Sequence, residues 1–201
     1  MNFVNKIFAA VIVYRDYCSK GYFSPWNPLP IIAILADYYR LKGEVAFVRN
    51  DRGEISGTIM MALDRGVGSI PQLDNNFPEA MAKLRQDFPS AADGKSAIAF
   101  CGKLGTKGRG KSSSAALRCF LQVVRFAQQN GTKVILCVMS TDHCPIYIKM
   151  GGLAIDYVPD VKGVGAPGHL VKIVLADCPK IMRRMTEGNP ATEPTLNGVA
   201  A

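Results

Sequence analysis

The densest chemistry in the chain lies between Lys103 and Ser112. Lys103, Lys107, Arg109 and Lys111 alternate with Gly105, Gly108 and Gly110, and Ser112 opens an apolar-periodic stretch. Glycines let a backbone come close to a ligand, and the unpaired N–H groups at a helix start favour an anion. Such a loop suits a phosphate or a pyrophosphate. A second cluster, Tyr147-Ile148-Lys149-Met150-Gly151, follows one helix and one strand later. A phenol with a reference pKa of about 10 is protonated at neutral pH and can act as a proton donor. Between the clusters, Ser140, Asp142 and His143 fall at the end of a predicted strand.

The elements that must hold these groups can be read from periodicity. Residues 97–104 predict a strand, 105–110 a glycine-rich loop, and 112–130 a helix stopped by Gly131, with Ala116, Phe120, Val123 and Ala127 on its apolar stripe. Residues 134–139 are continuously apolar, as in a strand covered on both faces. A short helix at 145–150 and strands at 154–158 and 170–175 complete this half. Earlier, 2–18 predicts an amphipathic helix with Phe3, Ile7, Ala10 with Val11, Tyr14 and Cys18 inward. The proline-rich 24–30 is a loop, 31–39 a second helix, and 44–48 with 55–63 a β-hairpin around Asn50-Asp51-Arg52-Gly53. Mixed loop and helix run to about Arg85. We expect one domain over 1–185, with 186–201 a mobile extension.

The basic loop has two readings. Gly105 to Ser112 fits G-x-x-x-x-G-K-S/T between a strand and a helix, the pattern of a P-loop nucleotidase. That fold, however, opens its sheet with the motif and needs several further βα units, whereas here the first half reads as helices and a hairpin. The second reading takes Lys107-Gly108-Arg109-Gly110-Lys111-Ser112 as a variant of the acetyltransferase signature Q/R-x-x-G-x-G/A, with Lys107 and Ser112 as departures. Tyr147-Ile148-Lys149-Met150-Gly151 matches Y-x-K-x-G, which follows the next strand in GNAT proteins. Two ordered signatures with correct intervening elements favour the second reading.

The chain resembles the long-chain N-acyl amino acid synthases of the N-acyl tyrosine type, which are similar to the acyl-homoserine lactone (autoinducer) synthases of the GNAT superfamily. The specific motifs cover about residues 97–157. Autoinducer synthases carry E-x-x-R before the loop; Phe100-Cys101-Gly102-Lys103 stands there, so the basic residue is kept and the acidic one lost. The resemblance implies an α/β (α+β) GNAT acyltransferase fold, a mixed and mostly antiparallel central sheet flanked by helices. It implies transfer of a fatty acyl group from the phosphopantetheine thioester of acyl carrier protein, rather than acyl-CoA, to an amino acid such as tyrosine. No tightly bound cofactor is expected.

In that chemistry the backbone of Lys103, Leu104, Gly105 and Thr106 would pair with pantetheine amides. Lys107 and the amides of Gly108, Arg109, Gly110, Lys111 and Ser112 would hold the phosphate. Tyr147 would be the general acid, and water held by Asp142 or His143 the base. Backbone N–H groups near Cys101, Gly102 and Lys103 would face the oxyanion. Trp26, Phe100, Val138, Ile146 and residues of the first two helices are candidates for an apolar acyl slot, and Ser140 is a further candidate for binding substrate. Each buried methylene is worth about 0.8 kcal/mol, so the tail can dominate donor affinity.

Bulk properties narrow the alternatives. The chain has 201 residues, 48% hydrophobic and 20% charged, with a net charge of +8. The excess favours an acidic partner; Lys180, Arg183 and Arg184 form a second basic cluster. A basic nucleic-acid module would need an aromatic-studded strand or a recognition helix, and neither is visible. No apolar run approaches the ~20 residues of a membrane span, and no secretory signal is visible, so a cytoplasmic protein is expected. The six cysteines lack any C-x-x-C and fall mostly in apolar runs, which reads as reduced, buried thiols. With only two histidines and no ligand spacing, no metal is expected.

Overall fold

The computed structural model describes residues 3–91, 95–107, 112–141, 143–149, 151–162 and 164–178. The strands are β1 (Glu44–Arg49), β2 (Ile55–Leu63), β3 (Ile98–Thr106), β4 (Val134–Ser140), β5 (Leu153–Val158) and β6 (Gly168–Val174). They form one sheet in the order β1-β2-β3-β4-β6-β5. Every pairing is antiparallel except β3 with β4. A single parallel pair is not the run of βα units a P-loop nucleotidase needs, and nothing else in the sheet supports that reading.

Alternation along the central strands gives the sheet two cores. Ile59 and Met61 of β2, Ala99 and Cys101 of β3, and Ile135 and Cys137 of β4 face α5 (Ser112–Gln129) and α6 (Cys144–Lys149). Met60 and Ala62, Ile98 and Phe100, and Val134 and Leu136 face α1 (Phe3–Ser19), α2 (Leu29–Arg40), α3 (Pro71–Asn76) and α4 (Pro78–Asp87). The sheet therefore has a buried side chain at nearly every central position, as the continuous apolar runs required.

Two expectations are corrected. The loop predicted to begin at Gly105 does not: β3 continues through Gly105 and Thr106, which pair with Thr58 and Gly57. The Lys107 N–H then donates to the Ser56 carbonyl at 2.8 Å. A Cβ on Gly105 would lie 2.7 Å from Val13 Cα, so glycine is needed there because α1 crosses the strand at backbone contact. The inward face of α1 is shifted too. Ala9, Ala10, Ile12, Val13 and Asp16 are buried, while Phe3 is exposed. The helix turns toward the place where Gly105 lets it approach, and Asp16 there accepts from Thr106 Oγ1 (3.5 Å) and Lys20 Nζ (2.8 Å).

An ion-pair network fixes the connection from β2 to α4. Arg85 donates to both oxygens of Asp64 at 2.8 Å, to Asp74 at 2.6 Å and to the Gly66 carbonyl at 3.2 Å. Asp64 is buried, and these bonds hold its guanidinium partner above even the ordinary arginine range. No helix among the described residues is long and apolar enough to cross a membrane. Five cysteines are buried free thiols and Cys18 is half-buried.

Candidate active site

The site is built on the seam between β3 and β4. Ile98, Ala99, Phe100 and Cys101 pair with Val134, Ile135, Leu136 and Cys137. Beyond the Cys101–Cys137 pair the strands part. Residues 102–106 of β3 keep only β2 as a neighbour, and residues 138–140 of β4 keep only β6. Two strand edges then face a common slot, each presenting N–H and C=O groups without a ladder partner. Such edges can take an extended, amide-bearing ligand as an added strand.

A β-bulge marks the place where the seam opens. Met60 pairs with Gly102 and Thr58 with Gly105, so Lys103 and Leu104 together oppose Ile59 alone. Lys103 has φ +52°, the left-handed conformation that a non-glycine residue rarely adopts. This extra residue rotates the strand. Leu104 packs toward the α5 face, while the Lys103 ammonium reaches Asp37 of α2 on the other face, 2.9 Å away. Gly102 is small because the Phe100 ring folds beneath it, with a Cβ there 2.7 Å from Phe100 Cζ.

Tyr147 approaches the seam from the α5 face. Its ring meets Phe120 edge-on with centroids 6.4 Å apart, and it packs with Cys101, Cys119 and Cys137. Burial, reinforced by these thiols, pushes the phenol far above the usual tyrosine range. It stays protonated at any physiological pH. The sequence signature has a mechanical meaning here. Gly151, at φ +92°, ends α6, and the Gly152 N–H donates to the Tyr147 carbonyl at 2.8 Å. A Cβ on Gly152 would lie 2.8 Å from that oxygen, so glycine lets the chain close around the tyrosine.

At the end of β4, Ser140 Oγ lies 2.7 Å from His143 Nδ1, and the His143 N–H donates to the Ser140 carbonyl. This pair stands where the slot is open. Burial raises the thiols of Cys119, to about 12, and of Cys144; Cys137 is held up first by its bond to Cys101. These are protonated and poorly nucleophilic. None of the described His, Cys, Asp and Glu residues gather into a metal-binding set of three or more.

The structure thus brings Phe100, Cys101, Gly102, Lys103, Leu104, Gly105, Thr106, Val138, Ser140, His143 and Tyr147 to one seam. Phe100 is wholly buried in the α1–α2 core. Trp26 is not brought there: it stands 92% exposed in the loop before α2. Lys107 is exposed, its ammonium 5.2 Å from the centre of the Phe8 ring. Gly108, Arg109, Gly110, Lys111 and Asp142 lie outside the described residues, as do the side chains of Ser112 and Ile146. Sequence reasoning missed Asp37, Arg40 and Lys162, which share a cavity with Lys103. The one available signal was Asp37, an acid at the end of the apolar run 31–36.

No protein-family model and no curated protein matches the chain. Solved structures do. FeeM, an N-acyl amino acid synthase from uncultured soil microbes, is 17% identical over 93% of this chain and 94% of its own, with a TM-score of 0.72. A GCN5-related N-acetyltransferase from Kribbella flavida is 11% identical over 85% of this chain and 92% of its own (TM-score 0.52). MesI, a CoA-dependent acyl-homoserine lactone synthase, is 16% identical over 77% and 73% (TM-score 0.50). The chain has the GNAT fold.

Proposed function

We propose that this protein is an N-acyltransferase that moves a long-chain fatty acyl group from the phosphopantetheine thioester of an acyl carrier protein to the α-amine of an amino acid, with tyrosine as the expected acceptor. The observation that carries the reading is the seam. A pantetheine arm has two amides in an extended chain, and the facing edges of β3 and β4 offer the complementary groups without breaking any existing ladder. The thioester end would stop near Cys101 and Cys137, where the strands rejoin, within reach of Tyr147.

There the amine attacks the thioester carbonyl, forming a C–N bond and a tetrahedral oxyanion. N–H groups around the bulge at Gly102 and Lys103 stabilise that charge where water is excluded. Collapse breaks the C–S bond, and Tyr147 gives its proton to the departing thiolate. The attacking amine loses a proton to water or to His143, which Ser140 orients. The α-amine of a free amino acid is largely protonated at pH 7, so it must lose a proton before it attacks, and a group that accepts that proton assists the step. The carrier is preferred to coenzyme A because an acidic docking helix complements the chain's net charge of +8, and the similarity to FeeM supports an amino-acid acceptor.

Incubation with long-chain acyl carrier protein, long-chain acyl-CoA and mixed amino acids, followed by mass spectrometry, tests the whole reading. N-acyl amino acids from the carrier thioester are expected. Thioester that remains intact with every acceptor would refute it.

A further inference from the structure

On the face of the sheet opposite Tyr147, α2, α3 and the connection between β5 and β6 enclose a cavity of about 410 Å³. That volume is in the range of small-molecule sites. Its wall includes Lys103, which also forms the bulge at the mouth of the seam, so the cavity borders the place where the proposed reaction puts the acyl carbon. Gly168 makes room for the connection to fold over β4: a Cβ there would lie 2.5 Å from Val161 and 3.2 Å from Val138.

The charges of this cavity are unbalanced. Asp37 is its one acidic residue, against Lys103, Arg40 and Lys162. Asp37 is already engaged, by Lys103 Nζ at 2.9 Å and by Arg40 at 2.6 Å. Lys162 is different. Its backbone N–H donates to the Asn76 side-chain oxygen at 2.9 Å, which pins the residue to α3. Lys162 is exposed, lines the cavity, and its ammonium has no ion-pair partner among the described residues. An anchored backbone with an uncommitted cation is suited to reading an anionic group on a ligand.

We propose that this cavity receives the acceptor and that Lys162 is the specificity-determining residue that binds its carboxylate. The proposal rests on the transferase reading and adds to it which residue separates an amino acid from a plain amine. The surplus of cations disfavours a ligand that is only a cation, so a decarboxylated amine meets repulsion where the amino acid meets a partner. The same surplus favours the neutral form of the amine at the Lys103 end, the form that attacks.

The test uses the full chain, saturating acyl donor and matched acceptor pairs: tyrosine with tyramine, phenylalanine with phenethylamine, leucine with isoamylamine. N-acyl products are quantified by mass spectrometry. Wild-type protein should prefer each amino acid to its amine by about tenfold to a hundredfold in kcat/KM, the scale of one charge-assisted hydrogen bond. Lys162→Met should raise KM for the amino acids and draw that ratio toward one, with an unchanged melting temperature. Lys162→Arg should restore the preference. Amines acylated as well as amino acids by the wild type, or a ratio untouched in Lys162→Met, overturns the Lys162 assignment while leaving the transferase reading intact. No product from any acceptor overturns both.

Discussion

The two halves of the β3–β4 seam are built from the same two strands and behave as different materials. In the first half four residue pairs are hydrogen-bonded, and their side chains, from Ile98 to Cys101 and Val134 to Cys137, are all at most 3% exposed. In the second half the strands bond outward only, glycine, lysine, threonine and serine stand among Leu104, Val138 and Met139, and most of the residues are half-buried. The closed half contributes the stability that lets the open half keep unpaired edges. The proposed site lies where the ladder stops.

The sharpest break of this contrast is in the closed half. Leu136→Ala removes a fully buried side chain between β4 and the α1–α2 layer, and should cost about 2–5 kcal/mol. Chemical denaturation should show it as a lower midpoint at unchanged slope. A loss under 1 kcal/mol would mean that the closed half is not the stabilising one.

Tyr147→Phe probes the open half. It should lower kcat by roughly 10²-fold and change KM little, with a smaller effect on an aryl thioester, whose leaving group needs less help. Equal losses with both donors would assign Tyr147 to positioning. Because its phenol is raised above the reference value of 10.0, its proton-bearing form persists through that pH. Its titration should therefore bring no fall in kcat up to about pH 10. An alkaline limb near pH 9 that vanishes in Tyr147→Phe would contradict the raised phenol pKa, while still marking Tyr147 as the proton donor.

Gly105→Ala separates the two uses of glycine. With α1 backbone 2.7 Å from the new methyl, overpacking should cost about 1–3 kcal/mol. A glycine needed only for ligand approach would show weaker donor binding at unchanged stability.

The smallest effect concerns the donor. Exposed charges are screened over about 10 Å at 0.1 M salt. KM for the carrier should therefore climb from low to moderate ionic strength while kcat holds. Charge reversal at Arg183 and Arg184, which lie outside the described residues, should mimic high salt. An unchanged carrier KM in that variant, or equal use of acyl-CoA, would remove the carrier preference.

The sequence by itself determined the elements and their order, because each is written in local periodicity: the hairpin around Asn50-Asp51-Arg52-Gly53, the long helix ending at Gly131, and the short helix closed by Gly151 all stand where their residues put them. It also pointed to Tyr147 and β3 as neighbours, and the structure packs Tyr147 against Cys101 of that strand. It did not determine where β3 ends. Gly105 reads as loop locally, and only the Thr58 pairing and the crossing of Val13 make it strand. Nor did it determine which face of α1 is inward, that the β3–β4 ladder stops after four pairs, or that Asp37 and Lys162 join Lys103 across more than fifty residues of chain on either side. These depend on register, on one extra residue in a bulge, and on helix approach. Such features are set by hydrogen bonds and contacts between distant segments, and no local pattern records them.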